Sequence, residues 1–525
     1  MIRKLPVYLL SVVACLPWLS TLQLTLKTNL MFFPSYQRDE MHIIARARAG
    51  WENRNLIEVF SNSNFYPQDG LMVPFEYILF YLIRPIGYLG FDFKFVYLAT
   101  CILSVFLCLK IVYAFFFDLT KRNYIATFLT FLLCFNDLFE RFSLHPSEPL
   151  LIARWPFPAI HYAIIFQFLR INQTRLVRSK YDGLITSSLI GLSFYSYFYT
   201  WQILGAIIIS LLVIHLVHKD MKSFKNLLLY SIGGLFLATP FIWKLIKSLD
   251  TEESKFSELF MSSMGKVNTR QIELTVSIVV LILIAIYLKL MLKSKYSQFA
   301  FLASFSSLMV YNQQFFSGIQ IQPGHYHWYW IKPIAYVLLA LILFEIFHSL
   351  KELRSLVIVM TVSMVCFASF QNSFYSEYQP NMATAAAISE FDFEEISGVV
   401  FTNSEQISDI IVTNTRVQLD WHSFSKLYRG QDLSYREAQN ARLAWEELGI
   451  YSPEKNFNSY LEEADEERGL FLQRELQKYF EVRGVEWIIL KDNVTFWQKK
   501  SISNRFRLVF SNSGITVYSI KELLE

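Results

Sequence analysis

The sequence predicts a polytopic α-helical membrane protein, with about eleven transmembrane helices and a C-terminal α/β domain outside the bilayer. Three observations carry this expectation. Apolar runs of roughly membrane-spanning length recur up to about residue 372. Only 18% of the 525 residues are charged while 53% are hydrophobic and 17% aromatic, against about a quarter charged in an ordinary soluble chain. The charge is also divided unevenly. From Ser376 onward 24 Asp and Glu meet 16 Lys and Arg, so the tail carries −8 and the preceding part +12. Such a split speaks for two environments and against a nucleic-acid partner.

The N-terminal MIRKLPVYLLSVVACLPWLSTLQL has the basic start and apolar run of a signal sequence. It lacks an obvious small-x-small cleavage site, so a retained signal-anchor helix is expected. The predicted spans are residues 5–27, 95–117, 124–139, 157–171, 183–200, 201–217, 226–245, 272–291, 298–316, 332–349 and 355–372. A twelfth apolar segment, FEYILFYLIRPIGYLG (75–90), holds Arg84-Pro85 at its middle. That pair is costly and helix-breaking in hydrocarbon, so the segment is expected to lie in the outer interface.

The basic connections then fall on one side. TKRN (120–123), RINQTRLVRSK (170–180), HKDMKSFKN (218–226), KLMLKSK (289–295) and KELR (351–354) become cytoplasmic loops, as positive charge in short loops requires. The N-terminus is cytoplasmic on this topology. Residues 28–94, 140–156, 246–271, 317–331 and the tail face outward. Cys15, Cys101, Cys108, Cys134 and Cys366 all sit in apolar stretches with no CxxC. They read as small buried hydrophobes, with no disulfide or zinc framework.

The outer segments hold the candidate chemistry. SYQRDEMHIIARARAG (35–50) sets Asp39 and Glu40 just after the first span. Residues 39–51 can form a short amphipathic helix. Asp39, His42 and Arg46 share one face; Ile44, Ala47 and Trp51 share another. Capping of that helix by its acidic start is the plain structural alternative. NDLFERFSLHPSEPLLIARWPFP (136–158) brings Arg141, His145, Glu148 and Arg154 outward, and GIQIQPGHYHWYWIKP (318–333) brings His325, His327, Trp328, Trp330 and Lys332. Rings at a membrane edge are ordinarily interfacial anchors. The Gly-His-x-His run fits a divalent metal poorly, because two His at i,i+2 point to opposite sides of a strand. Contacts from Arg, Lys and His to a phosphate fit better. In GLSFYSYFYTWQI (191–203), Tyr195, Tyr197, Tyr199 and Trp201 suit either ring stacking on a sugar or lipid, or packing. No GxGxxG, Walker A, GxSxG or HExxH motif stands where its structural context requires it.

The tail opens with a linker at 371–381. Strands are expected at 396–403, 409–414, 485–492, 506–512 and 514–520, with helices at 433–450 and 457–484. Trp421-His422 falls in a loop of this domain, where a structural role is expected.

The order of these features carries a resemblance. A span, an Asp-Glu pair opening a helix (RDEMHIIARARAG), and a Pro-containing approach (DGLMVPFEYILFYLI) into an interfacial helix and second span together resemble the membrane glycosyltransferases of the GT-C superfamily. Nearest in kind are the protein O-mannosyltransferases, the aminoarabinose-to-lipid-A transferases and the bacterial RgtA/B/C/D-like glycosyltransferases. The resemblance covers the chain to about residue 372 as a GT-C-like domain (1–372). It implies a multi-pass enzyme of a prokaryotic plasma membrane, transferring a hexose or pentose from a polyprenyl-phosphate carrier to an acceptor glycan, lipid or protein on the outer face. Asp39 would be the general base and Glu40 its neighbour or substitute. From chemistry, Arg141, His145, Arg154, His325 and Lys332 are candidates to steady the departing lipid phosphate; His42, Arg46 and His327 complete the substrate-binding candidates. No cofactor is implied, with a divalent metal as the lesser alternative. The chain has Val73-Pro74-Phe75 where O-mannosyltransferases often carry His-Pro-Pro, so neither acceptor nor donor sugar follows from the resemblance. Two other readings stay open: a transporter or flippase of lipid-linked saccharides, and a catalytically inactive envelope scaffold.

Overall fold

The computed structural model describes residues 5–28, 30–31, 38–54, 75–135, 158–174, 181–196, 198–249, 274–292, 294–317, 326–346, 390–391, 396, 398–402, 405–415, 417–419, 484–491, 507–512 and 515–520. The chain divides into two compact units: residues 1–20 with 97–375, and residues 21–96 with 376–525.

Helices build the first unit. After α1 (Leu5–Thr28), and after α2 (Arg38–Glu52) and α3 (Phe75–Ile83), which belong to the second unit, come α4 (Phe93–Thr120), α5 (Asn123–Cys134), α6 (Ala159–Leu169), α7 (Asp182–Tyr195), α8 (Phe198–Val217), α9 (Met221–Leu249), α10 (Val276–Leu290), α11 (Ser297–Tyr311) and α12 (Lys332–Ile346). Helices α1 and α4–α12 stand at ten of the eleven places where spans were expected; the eleventh, 355–372, lies outside the described residues. Among the described residues, four helical stretches are long and apolar enough to cross a membrane: Phe93–Thr120, Tyr199–Val217, Met221–Trp243 and His327–Ile346. Asn123–Cys134 and Val276–Leu290 are shorter apolar helices.

Local chemistry sets several boundaries. Lys219 at φ 55 ends α8 as the basic loop begins: Asp220 N–H reaches His215 O at 2.9 Å and Lys219 N–H reaches Leu216 O at 3.0 Å. This is the paired bonding of a Schellman end. Thr275 caps α10, its hydroxyl accepting from the Ile278 N–H at 3.3 Å. The core is aromatic, with Phe115 meeting Phe166 and Phe299 at ring centroid separations of 5.3 and 5.4 Å. Cys15, Cys101, Cys108 and Cys134 are buried free thiols, as their apolar surroundings predict. Cys366 lies outside the described residues.

The segment expected in the interface is a nine-residue helix, α3, followed by a 3-10 turn at Arg84–Leu89. Pro85 stands at the start of that turn, and Gly90 at φ 86 stops it. Nine residues of helix reach about 14 Å, half the hydrocarbon thickness.

In the second unit, α2 and α3 pack on each other and α2 also meets the tail. A five-stranded sheet runs in the order β2-β1-β3-β5-β4, from β1 (Val399–Thr402), β2 (Gln418–Leu419), β3 (Val485–Lys491), β4 (Arg507–Asn512) and β5 (Ile515–Ser519). β1 pairs parallel with β2 and β3, while β5 pairs antiparallel with β3 and β4. The predicted strands at 396–403, 485–492, 506–512 and 514–520 are found, trimmed at their ends. The strand expected at 409–414 is instead the second half of a helix, α13 (Glu405–Asn414). Its β-branched Ile410-Ile411-Val412 run reads as strand in isolation. Ile407, Ile410 and Ile411, however, form an i, i+3, i+4 stripe, and all three are fully buried. The predicted helices 433–450 and 457–484, Trp421 and His422 lie outside the described residues, apart from Gly484, which stands just ahead of β3.

The sequence groups residues 28–94 with the spans, whereas the packing groups 21–96 with the tail. Leu30, Ala45 and Ala49 share one apolar core with Val400, Ile407, Ile410, Leu419, Ile489 and Val517. Gly50 allows α2 to close on α3. A β-carbon there would stand 2.2 Å from the Tyr77 carbonyl oxygen and 2.9 Å from its carbon. Because the clash is with backbone, Gly50→Ala is expected to destabilise the second unit by about 1–3 kcal/mol, read as a lower midpoint in thermal unfolding of the purified protein.

Candidate functional site

The acidic pair proposed from the sequence stands at the start of α2. The helix begins at Arg38, so Asp39 and Glu40 occupy its first turn, where unsatisfied N–H groups and the macrodipole favour negative charge. The helix ends after Glu52 through Asn53 at φ 56. Arg54 N–H bonds Ala49 O at 2.8 Å and Asn53 N–H bonds Gly50 O at 3.2 Å, again a Schellman end.

The body of α2 is fixed by ion pairs. The Arg46 guanidinium Nη2 meets Glu76 Oε1 across α2 and α3, with side chains 16% and 4% exposed. Arg46, a substrate-binding candidate by sequence, thus belongs to a buried clamp. Arg48 Nε donates to Glu52 Oε1 at 2.9 Å, one turn on, and Arg54 lies 3.5 Å from Glu52 Oε2. Tyr77 Oη donates to the Arg54 carbonyl at 3.1 Å. Burial pushes the Tyr77 phenol above its ordinary pKa, with Tyr81 adding and Arg84 opposing, so it remains a donor at neutral pH. Trp51 packs on Phe93 at 6.1 Å.

The first unit holds the other described candidates. His327 opens a π-helical turn, His327–Ile331, that runs straight into α12. The strand geometry assumed for the Gly-His-x-His run therefore does not apply to its second His. Lys332 is buried, with Nζ 4.1 Å above the Trp328 ring and 6.0 Å from that of Tyr336, a cation–π position. His327 stands edge-on to Trp328 at 5.7 Å. Trp328 is half exposed, as an interfacial ring would be, but Trp330 is fully buried and packs on Phe166. The anchoring role expected for Trp330 gives way to core packing. Arg141, His145, Arg154 and His325 lie outside the described residues, and of the Asp39, Glu40 and His42 side chains only the backbone helix is described.

The described rings of the predicted hairpin, Tyr195, Tyr199 and Trp201, pack on their own neighbours; Tyr197 lies outside the described residues. Tyr195 Oη donates to Leu237 O at 3.1 Å, Trp201 stacks on Phe194 at 5.1 Å, and Tyr199 meets Tyr326 edge-on at 5.0 Å. Around that last pair lies a polar cluster that periodicity did not single out. Tyr326 Oη donates to Gln202 Oε1 and accepts from Gln313 Nε2 at 2.8 Å, while His161 Nδ1 and Thr200 Oγ1 are 3.0 Å apart. The signal available in sequence was the isolated His in the apolar run AIHYAIIFQFL (159–169), since ionisable groups within spans are rare. Among the described residues no three His, Cys, Asp or Glu side chains gather to hold a metal ion.

The sequence matches no family model and no curated protein. Among solved structures the chain is similar to the Archaeoglobus fulgidus oligosaccharyltransferase in its apo form, with a TM-score of 0.45 and 12% identity. The match covers 93% of this chain and 70% of that one.

Proposed function

We propose that this protein is a membrane glycosyltransferase that moves a sugar from a polyprenyl-phosphate carrier to an acceptor hydroxyl at the outer face of the plasma membrane. One observation carries the reading. The Asp39–Glu40 pair of the first outer loop opens a helix whose second half is locked by the Arg46–Glu76 pair and the close approach at Gly50. A carboxylate on a rigid support is what general-base catalysis needs. Asp39 takes the proton from the acceptor hydroxyl as its oxygen attacks the anomeric carbon. The bond from that carbon to the lipid phosphate breaks with inversion, and the phosphate leaves with the electron pair. Cations are needed to steady it; Arg141, His145, Arg154, His325 and Lys332 are the nominees, with His42 and His327 as further substrate contacts. No cofactor enters this chemistry.

The buried His161 is the observation that favours the transporter alternative, because an ionisable group in a span marks a polar path. It is the third residue of α6, at the helix end and not its middle, which keeps the enzyme reading first.

The test is incubation of membranes containing the full chain with a panel of radiolabelled polyprenyl-phosphate sugars. Release of polyprenyl phosphate with label in an acceptor, or as free sugar, is the expected result. Movement of intact lipid-linked sugar between leaflets without cleavage would overturn it. Lys332→Met keeps an apolar stem in the same space and removes the charge. It is expected to lower the rate about tenfold, the loss of one charge contact to the leaving phosphate, with folding intact by thermal unfolding.

A further inference from the structure

We propose that the tail helix α13 positions the acidic first turn of α2, with Asn414 as the positioning residue. This inference rests on the reading of Asp39 as the base. Asn414 is the last residue of α13. Its carboxamide oxygen accepts from the Met31 backbone N–H at 2.5 Å, and its amide nitrogen donates to the Met31 carbonyl at 3.2 Å. The same nitrogen donates to Ile410 O at 3.1 Å, within its own helix. One side chain thus satisfies both backbone groups of a single residue far away in sequence, as a neighbouring strand would. Met31 is fully buried and Leu30 nearly so.

The second hold lies beyond the acidic pair. Ala45 and Ala49, four apart and so on one face of α2, pack in the same core as Ile407, Ile410 and Ile411 of α13. Small side chains there let the two helices approach closely. The chain is therefore gripped by one ten-residue helix at Met31, ahead of Asp39 and Glu40, and again at Ala45 and Ala49 behind them. The tail then does more than stand beside the membrane: it fixes where the catalytic turn begins. A carboxamide suits this task because it holds an acceptor oxygen and a two-hydrogen donor nitrogen in one plane. A misplacement of about 1 Å in a catalytic group can cost 10²-fold in rate, so loosening one of two holds should act on kcat.

The experiment uses the full chain in lipid nanodiscs, as wild type, Asn414→Ala and Asn414→Asp. Donor turnover gives kcat and KM, and backbone hydrogen exchange is followed over residues 30–52. Asn414→Ala is expected to lower kcat about tenfold with KM within twofold, and to speed exchange over residues 30–52. Asn414→Asp keeps the acceptor for Met31 N–H and loses the donor, so it should fall between the two. Should Asn414→Ala fail to fold, Asn414→Asp carries both readouts. An unchanged kcat, or a raised KM at constant kcat, overturns the proposal. If wild type transfers sugar from no donor, the base reading falls by itself; exchange over 30–52 then decides the brace, and an unchanged profile in Asn414→Ala overturns it.

Discussion

Replacing Asp39 by Asn is expected to cut sugar transfer by a factor of about 10²–10⁴, the usual worth of a positioned general base, with the protein present in membranes at wild-type level. The substitution is close to isosteric and removes the negative charge, and with it the ability to take a proton. Structural side effects should be small, because losing one charge from the first turn of a helix costs only about 0.3–1 kcal/mol, and the rest of α2 is held by contacts from Arg46, Ala45, Ala49 and Gly50. Donor affinity should change little, so the loss belongs in kcat. Glu40→Gln should have the smaller effect, since a like-charged neighbour raises the basicity of Asp39 without itself taking the proton. The check is initial rate against donor concentration for the three proteins. Equal rates in all three would remove the carboxylates from the mechanism. Collapse in Glu40→Gln alone would exchange their roles.

Much of the architecture was legible because it rests on one-dimensional patterns. Apolar runs placed the helices that became α1 and α4–α12, and Arg84-Pro85 announced the break between α3 and its 3-10 turn. The 39–51 helix was found to within one residue at each end, since its charge and apolar faces alternate at the helical period. What escaped depended on partners distant in sequence. Nothing near Arg46 announces Glu76, 30 positions on, as its buried counterion. Asn414 looked like the end of a strand because Ile-Ile-Val is locally strand-like, while the stripe that makes it helical needs Ile407 and a surface to bury against. The Tyr326–Gln202–Gln313 chain likewise joins residues far apart in the sequence, and isolated amides carry no periodic signal.

Arg46 is where the two lines of reasoning part, and substitution separates them. Sequence places it beside Asp39 as a substrate contact; the structure engages it with Glu76, whose side chain is almost wholly buried. Removing one partner of a buried pair costs about 3–5 kcal/mol, because the other charge is left uncompensated. The partial exposure of Arg46 puts Glu76→Ala at the lower end of that range. The expected result is a thermal midpoint several degrees below wild type and a matching loss of transfer as α2 loosens from α3. Replacing both partners with apolar residues of similar size, Arg46→Met with Glu76→Leu, should recover most of the stability, since a buried pair contributes little over well-packed apolar groups. Transfer is the discriminating readout. If Arg46 serves only the clamp, activity returns together with stability in the double variant, and that is the outcome expected from the geometry. A stable double variant that stays inactive would restore Arg46 to the substrate and leave Glu76 as the group that aims it.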